Sequence, residues 1–137
     1  MGRWMAIDYG LKRVGLAVTD PLKIIATALT TVENKFVLEY IVDYHKKETL
    51  EQIVIGDPIH LDGKKSAMNE EVDKFCILLA KSLPTVPIKK IDERYSSKEA
   101  MQSLIQSGVK RKDRRQKEAL DKVSATLLLQ TYMQNPY

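Results

Sequence analysis

The sequence predicts an α/β fold: a five-stranded mixed sheet, three antiparallel strands followed by two parallel ones, with helices on both faces. Three observations carry that expectation. The first third holds three short apolar or β-branched runs separated by turn residues. The middle then alternates helix-period and strand-period segments, a βαβ pattern that calls for parallel pairing. A long helical segment follows near the C-terminus. The 137 residues fit one domain spanning 1–137, with 44% hydrophobic residues to build a core without disulfide staples.

Trp4 to Ile7 and Val14 to Val18 read as a hairpin, with Gly10 and the Lys12-Arg13 pair in its turn. Asp20-Pro21 breaks the chain before a third strand, Ala26 to Val32. Asn34 offers an N-cap to a helix whose apolar positions are Val37, Leu38, Ile41, Val42 and Tyr44. That helix ends on His45, Lys46 and Lys47, cations that suit a helix C-terminus, and His45 reads as a surface residue there. Gln52 to Gly56 is a buried parallel strand. The loop Asp57 to Lys65 follows, with His60 as an ordinary loop residue, and Ser66 caps a helix striped by Val72, Phe75, Cys76, Leu79 and Leu83. Pro87 to Arg94 is a strand near a sheet edge, because lysines interrupt it. Ser96 to Glu99 is a capping box for a helix that stops at Gly108. The last helix runs from about Lys117 to Met133, with Leu120, Val123, Leu127 and Leu128 facing inward.

Composition narrows the function classes. One cysteine, Cys76, permits no internal disulfide; it sits on an apolar stripe and reads as a core thiol. No charged and apolar leader opens the chain and no run is long enough to span a bilayer, so the expected location is cytoplasmic, with no membrane partner. The net charge is +4, yet Lys110 to Lys117 alone carries six basic residues and one acid. The remaining chain is therefore slightly acidic, and basicity is confined to one segment suited to a local anionic contact.

Acids are the other singular feature. Asp8 lies inside an apolar run, where an ionised carboxylate needs a cation, a donor or an open strand end. Capping of the turn as an Asx motif, with Gly10 supplying positive φ, explains Asp8 equally well; otherwise Gly10 lets a backbone or phosphate approach the strand end. Glu93 falls near the end of a parallel strand, the edge where crevices form in open α/β sheets. Asp121 on the last helix can reach the same edge, helped by small Ser124 and Ala125 one turn on; it also reads as a solvated acid beside Lys117 and Lys122, and Glu118 shares its face. Three carboxylates gathered without a cation would repel one another, so such a cluster suits hard divalent ions bound by oxygen. Two such ions can activate water and stabilise the leaving oxygen of a phosphodiester. No Cys/His set exists for zinc.

Over its whole length the chain resembles the YqgF/RuvX family of ribonuclease-H-like proteins, related in fold to Holliday junction resolvases. The likeness rests on Ala6-Ile7-Asp8-Tyr9-Gly10 with Arg13-Val14-Gly15-Leu16-Ala17, and on Val54-Ile55-Gly56 with Pro58 and Asp62-Gly63. It extends to Asp92-Glu93-Arg94 and to Asp121 ahead of Leu129-Gln130-Thr131-Tyr132. The resemblance implies Asp8, Glu93 and Asp121 as catalytic acids and metal ligands, with Mg2+ or Mn2+ as cofactor. The activity it implies is nuclease cleavage in 5′-end maturation of precursor 16S ribosomal RNA, with the ribosome or a pre-ribosomal particle as a further partner. Resolution of branched DNA is the alternative. The chain departs from the family pattern at Asp57, usually apolar, where the acid could add charge near the site, and at Tyr95-Ser96-Ser97, where Leu-Thr-Thr is common.

Expected substrate contacts are Gly10, Lys12, Arg13, Lys64 and Arg94 around the acids, and Lys110, Arg111, Lys112, Arg114 and Arg115 as an arm gripping the phosphate backbone. Two other classes compete. Sugar kinases and their relatives use an Asp-x-Gly hairpin to hold nucleotide phosphates, but need two such domains where this chain has one. A non-catalytic RNA-binding ribosome-assembly factor would use the basic segment alone; three acids in separate elements argue against it.

Overall fold

The computed structural model describes residues 2–57, 67–92 and 117–134, with the backbone alone at 92 and 117–123. His60, Lys64, Ser66, Glu93, Arg94, the expected helix ending at Gly108 and the basic segment from Lys110 to Gln116 lie outside the described residues. The elements are β1 (Arg3–Asp8), β2 (Arg13–Thr19), β3 (Ala26–Glu33), α1 (Asn34–Lys47), β4 (Leu50–Asp57), α2 (Ala67–Ser82), β5 (Ile88–Asp92) and α3 (Lys117–Gln134).

The five strands form one sheet in the order β3-β2-β1-β4-β5. β1 pairs antiparallel with β2 and β2 with β3, whereas β1–β4 and β4–β5 are parallel. The expected three-plus-two arrangement is therefore the observed one, and the lysine-bearing β5 is an edge strand among the described residues.

Period-two alternation sends the strands' side chains into two cores. Met5, Ile7, Leu16, Ile53 and Ile55 pack with Val37, Val72, Phe75 and Leu79 under α1 and α2. Ala6, Ala17, Val54 and Ile91 face α3, meeting Ala125, Leu128, Leu129 and Tyr132. The residues on the α3 side are small at the centre, so that helix can lie close across β1, β2 and β3. Its C-terminal end is pinned: Gln52 Nε2 donates to the Tyr132 hydroxyl at 2.6 Å, and Tyr132 packs edge-on against Trp4 with ring centroids 5.4 Å apart.

Several local expectations change. Asn34 does not cap α1; Glu33 holds the cap position with no side-chain cap bond. Asn34 instead donates its backbone N–H to the Lys12 carbonyl at 2.8 Å and its Nδ2 to the Gly10 carbonyl at 2.7 Å. The first turn of α1 and the β1–β2 turn are thus one hydrogen-bonded unit, a use of the amide that competes with capping. His45 is half-buried rather than a plain surface residue, because its Nδ1 accepts the Leu50 N–H at 2.9 Å and ties the end of α1 to the start of β4. Of the four residues expected inside α3, Leu128 is buried and Leu127 only half-buried, while the side chains of Leu120 and Val123 lie outside the description. Cys76 is a half-buried member of the α2 core, where burial pushes its thiol above the ordinary range. No helix among the described residues is long and apolar enough to cross a membrane.

The β2–β3 connection is organised by Asp20. Its carboxylate accepts the N–H groups of Ile24 at 2.7 Å and Ile25 at 2.8 Å, and its carbonyl accepts that of Lys23, which has φ +57°. The bond from Ile25 is the main reason its acidity is raised, holding the carboxyl below its ordinary value. A depressed folded-state value means that the carboxylate's contribution is complete above the ordinary carboxylate range and is lost as pH falls through the depressed value. Asp20→Ala is expected to melt below wild type at neutral pH, with the gap narrowing in melts taken at progressively more acidic pH.

Candidate active site

The site is built from the C-terminal ends of the parallel strands. Met5, Ala6 and Ile7 are completely buried at the sheet centre, and Asp8, the next residue, is half-buried where β1 comes out of the core. Alternation puts Asp8 on the same face as Ala6, the face covered by α3. Its cross-strand partner on β2 is Gly15, and on β4 the position one step past the Ile7–Ile55 pair is Gly56. Neither neighbour has a side chain, so no Cβ from either paired strand flanks the Asp8 side chain.

The sequence expectation assigns close approach at this strand end to Gly10. Gly10 has another duty. A Cβ there would lie 2.4 Å from the Arg13 carbonyl oxygen, so the turn's own backbone occupies the space. The requirement is one of close approach rather than of positive φ, which Gly10 does not adopt. A glycine directly opposite an acid on a paired strand is the signal that could have found Gly15, once the hairpin register was known.

Asp57 also ends at this edge, level with Asp92 of β5, but it faces the other way. Its carboxylate accepts the Asn69 Nδ2 of α2 at 2.7 Å, and Asn69 is buried. Its carboxylate therefore lies on the α2 side of the sheet, bound to an amide, on the face opposite Asp8. Lys90, two residues before Asp92, turns to the same side and meets Asp73 at 2.6 Å. Ile91 faces α3. Glu93, next in the chain after Asp92, lies outside the described residues.

Position 121 is described as backbone. It falls on the stripe that continues through Ala125, Leu128 and Tyr132, the residues packed on the sheet. α3 runs antiparallel to β1, since Tyr132 sits beside Trp4 at the start of that strand. Eleven helical residues back from Tyr132 is about 16 Å, and Trp4 to Asp8 is about 13 Å of strand. The backbone at 121 is therefore close to level with Asp8. Glu118 falls about as near the centre of the stripe, but roughly one turn farther along the axis. Among the described residues no three His, Cys, Asp or Glu side chains form a group able to hold a metal ion.

Lys12 and Arg13 line an open cleft with Leu11, Glu33, Asn34 and Lys35 at the turn that follows Asp8. Arg13 is half-buried and Lys12 exposed. Two of the expected basic contacts thus stand at the same edge as Asp8; Lys64, Arg94, Lys110, Arg111, Lys112, Arg114 and Arg115 lie outside the described residues.

The chain matches the RuvX family, described as Holliday junction resolvase, over residues 2–135. The chain belongs to that family. Relatives provisionally named pre-16S rRNA nuclease include a protein of Amoebophilus asiaticus, 50% identical over 97% of this chain and 94% of its own length. Another, from Porphyromonas gingivalis, is 43% identical over 99% of each chain. Among solved structures, Thermus thermophilus RuvC in complex with a Holliday junction substrate aligns over 99% of this chain and 97% of its own, with TM-score 0.62 and 14% identity. A second Thermus thermophilus RuvC structure gives TM-score 0.57 at 14% identity, covering 96% and 95%. At that identity the likeness concerns fold: this RuvX chain shares the ribonuclease-H-like architecture of RuvC. The family and relatives' names make it a member of a nuclease family.

Proposed function

We propose that this RuvX chain is a metal-dependent endonuclease that hydrolyses phosphodiester bonds in 5′-end maturation of precursor 16S ribosomal RNA, acting on the pre-ribosomal particle or its RNA. The observation that carries the reading is the situation of Asp8: a half-buried acid at the open end of the central strand, between two glycines, on the face crossed by the helix bearing Asp121. Asp8, Glu93 and Asp121 are proposed as the catalytic acids and metal ligands. The donor set is carboxylate throughout, and the described softer donors stand elsewhere, with Cys76 in the α2 core and His45 bonded to Leu50. Such a set fits Mg2+ or Mn2+. When bound, a pair of these ions supplies an activated water and charge stabilisation at the leaving oxygen.

The chain's own contribution is positional. The sheet holds Asp8 rigidly, because the three residues before it have no exposed surface and both flanking strands are hydrogen-bonded to β1. Helix α3, anchored at Tyr132, sets the distance between its acid and the sheet. Lys12 and Arg13 beside the site, and the segment Lys110 to Arg115, hold phosphates; such contacts position a nucleic acid without reading its bases.

The test is direct. Precursor 16S RNA carrying its 5′ extension and a four-way DNA junction are each incubated with the protein and Mg2+ or Mn2+. Metal-dependent cleavage of the RNA at a discrete position is the expected result. Cleavage of the junction alone would replace this reading with resolvase activity, and binding of RNA with no cleavage under either ion would make the chain an assembly factor.

A further inference from the structure

The turn after Asp8 and the first turn of α1 enclose an open cleft of about 710 Å³, lined by Leu11, Lys12, Arg13, Glu33, Asn34 and Lys35. Among the described residues that line it, Lys12, Arg13 and Lys35 are cationic and Glu33 is acidic. The acid, Glu33, lies 3.5 Å from Lys35, but both are largely exposed, so the pair is weak and Lys35 can turn to another anion.

Two large apolar side chains also stand in water, one on the cleft and one beside its lining. Leu11 on the cleft rim is 61% exposed. Phe36, adjoining Lys35 in α1, is 52% exposed, with the Lys35 Nζ 5.1 Å from its ring centroid. Neither sits on a loose loop. Asn34 bonds both the Gly10 and Lys12 carbonyls, so turn and helix present these groups as a single preformed surface. A simple anion would need only the cations. Phosphates joined to unstacked bases would need both: cations along the backbone, and apolar or aromatic surface against base faces. A duplex keeps its base faces stacked inside and offers nothing to Leu11 or Phe36.

We infer that this cleft holds a single-stranded segment of nucleic acid, with Lys12 and Lys35 on its phosphates and Phe36 and Leu11 against its bases. On the nuclease reading above, on which this placement depends, the segment adjoins the scissile phosphate, and the enzyme selects a strand that is unpaired beside the cut.

Fluorescence anisotropy in the presence of a chelator, with a labelled single-stranded RNA and a hairpin duplex of matching sequence, tests the inference without cleavage. Wild type is expected to prefer the single strand. Phe36→Ala should weaken single-strand binding about tenfold, the scale of one lost aromatic stacking contact, and Leu11→Ser should weaken it by less, both leaving duplex binding unchanged. Lys12→Gln with Lys35→Gln should flatten the single-strand slope of log affinity against log salt by about 1.4. Circular dichroism melts guard against misfolding, and exposed Phe36 and Leu11 should leave them unmoved. Single-strand affinity and slope that survive all four changes would overturn the inference, as would equal losses on single strand and duplex. Cleavage by wild type alongside unaltered binding in the variants removes this cleft and keeps the nuclease, whereas the predicted binding losses in a protein that cleaves nothing keep the cleft and remove the nuclease.

Discussion

Asp8→Asn is expected to lower cleavage by about 10⁴-fold or more, the scale reached when one member of a catalytic unit is removed. The fold should survive. Asparagine has nearly the same shape and keeps an acceptor oxygen, and the position is half-buried at a strand end rather than inside the core. Without metal, on the proposed carboxylate cluster, removing one of its charges should leave the melting temperature at or above wild type. With metal the order reverses. An ion that binds only the folded wild type adds about 2.7 kcal/mol at a hundred times its dissociation constant, and a variant lacking one ligand gains much less. Melts with and without Mg2+ or Mn2+, read beside the cleavage rate, check both parts. Wild-type cleavage by Asp8→Asn would remove Asp8 from the site.

Asp121→Asn is expected to lose on the order of a hundredfold or more, since even groups that merely support a metal ligand matter on that scale, whereas Glu118→Gln should stay within about threefold of wild type. The stripe cannot separate these two positions, which lie about equally near its centre. Height can. Tyr132 pins α3 beside Trp4, and counting back along the axis brings 121 level with Asp8 and carries 118 about one turn past it. Burial of Ala125, one turn after Asp121, lets the helix lie close to the sheet there. Parallel rate measurements on both variants are the check, and the opposite ranking would move the helix-borne acid by a turn.

Much of this architecture was legible in the chain. The hairpin, the switch to parallel strands after α1 and the edge character of β5 followed from period, turn residues and interrupting lysines, because backbone hydrogen bonding and burial act on short segments that carry their own pattern. Asp8 as an unusual acid was legible for the same reason: an ionisable group in an apolar strand stands out without any partner being known.

Tertiary structure decided what those residues face. Asn34 has the local chemistry of a cap, yet the Gly10 and Lys12 carbonyls come within its reach only when β1, β2 and α1 are assembled, and it serves them instead. Asp57 looked like one more acid at the strand ends until strand alternation turned it toward α2 and Asn69. Gly15 and Gly56, which flank Asp8 on the paired strands, are many residues apart in sequence and become neighbours only through strand register. Local pattern determines which element a residue joins; the register and packing of several elements determine which face it shows, and that information is held in no single stretch of the chain.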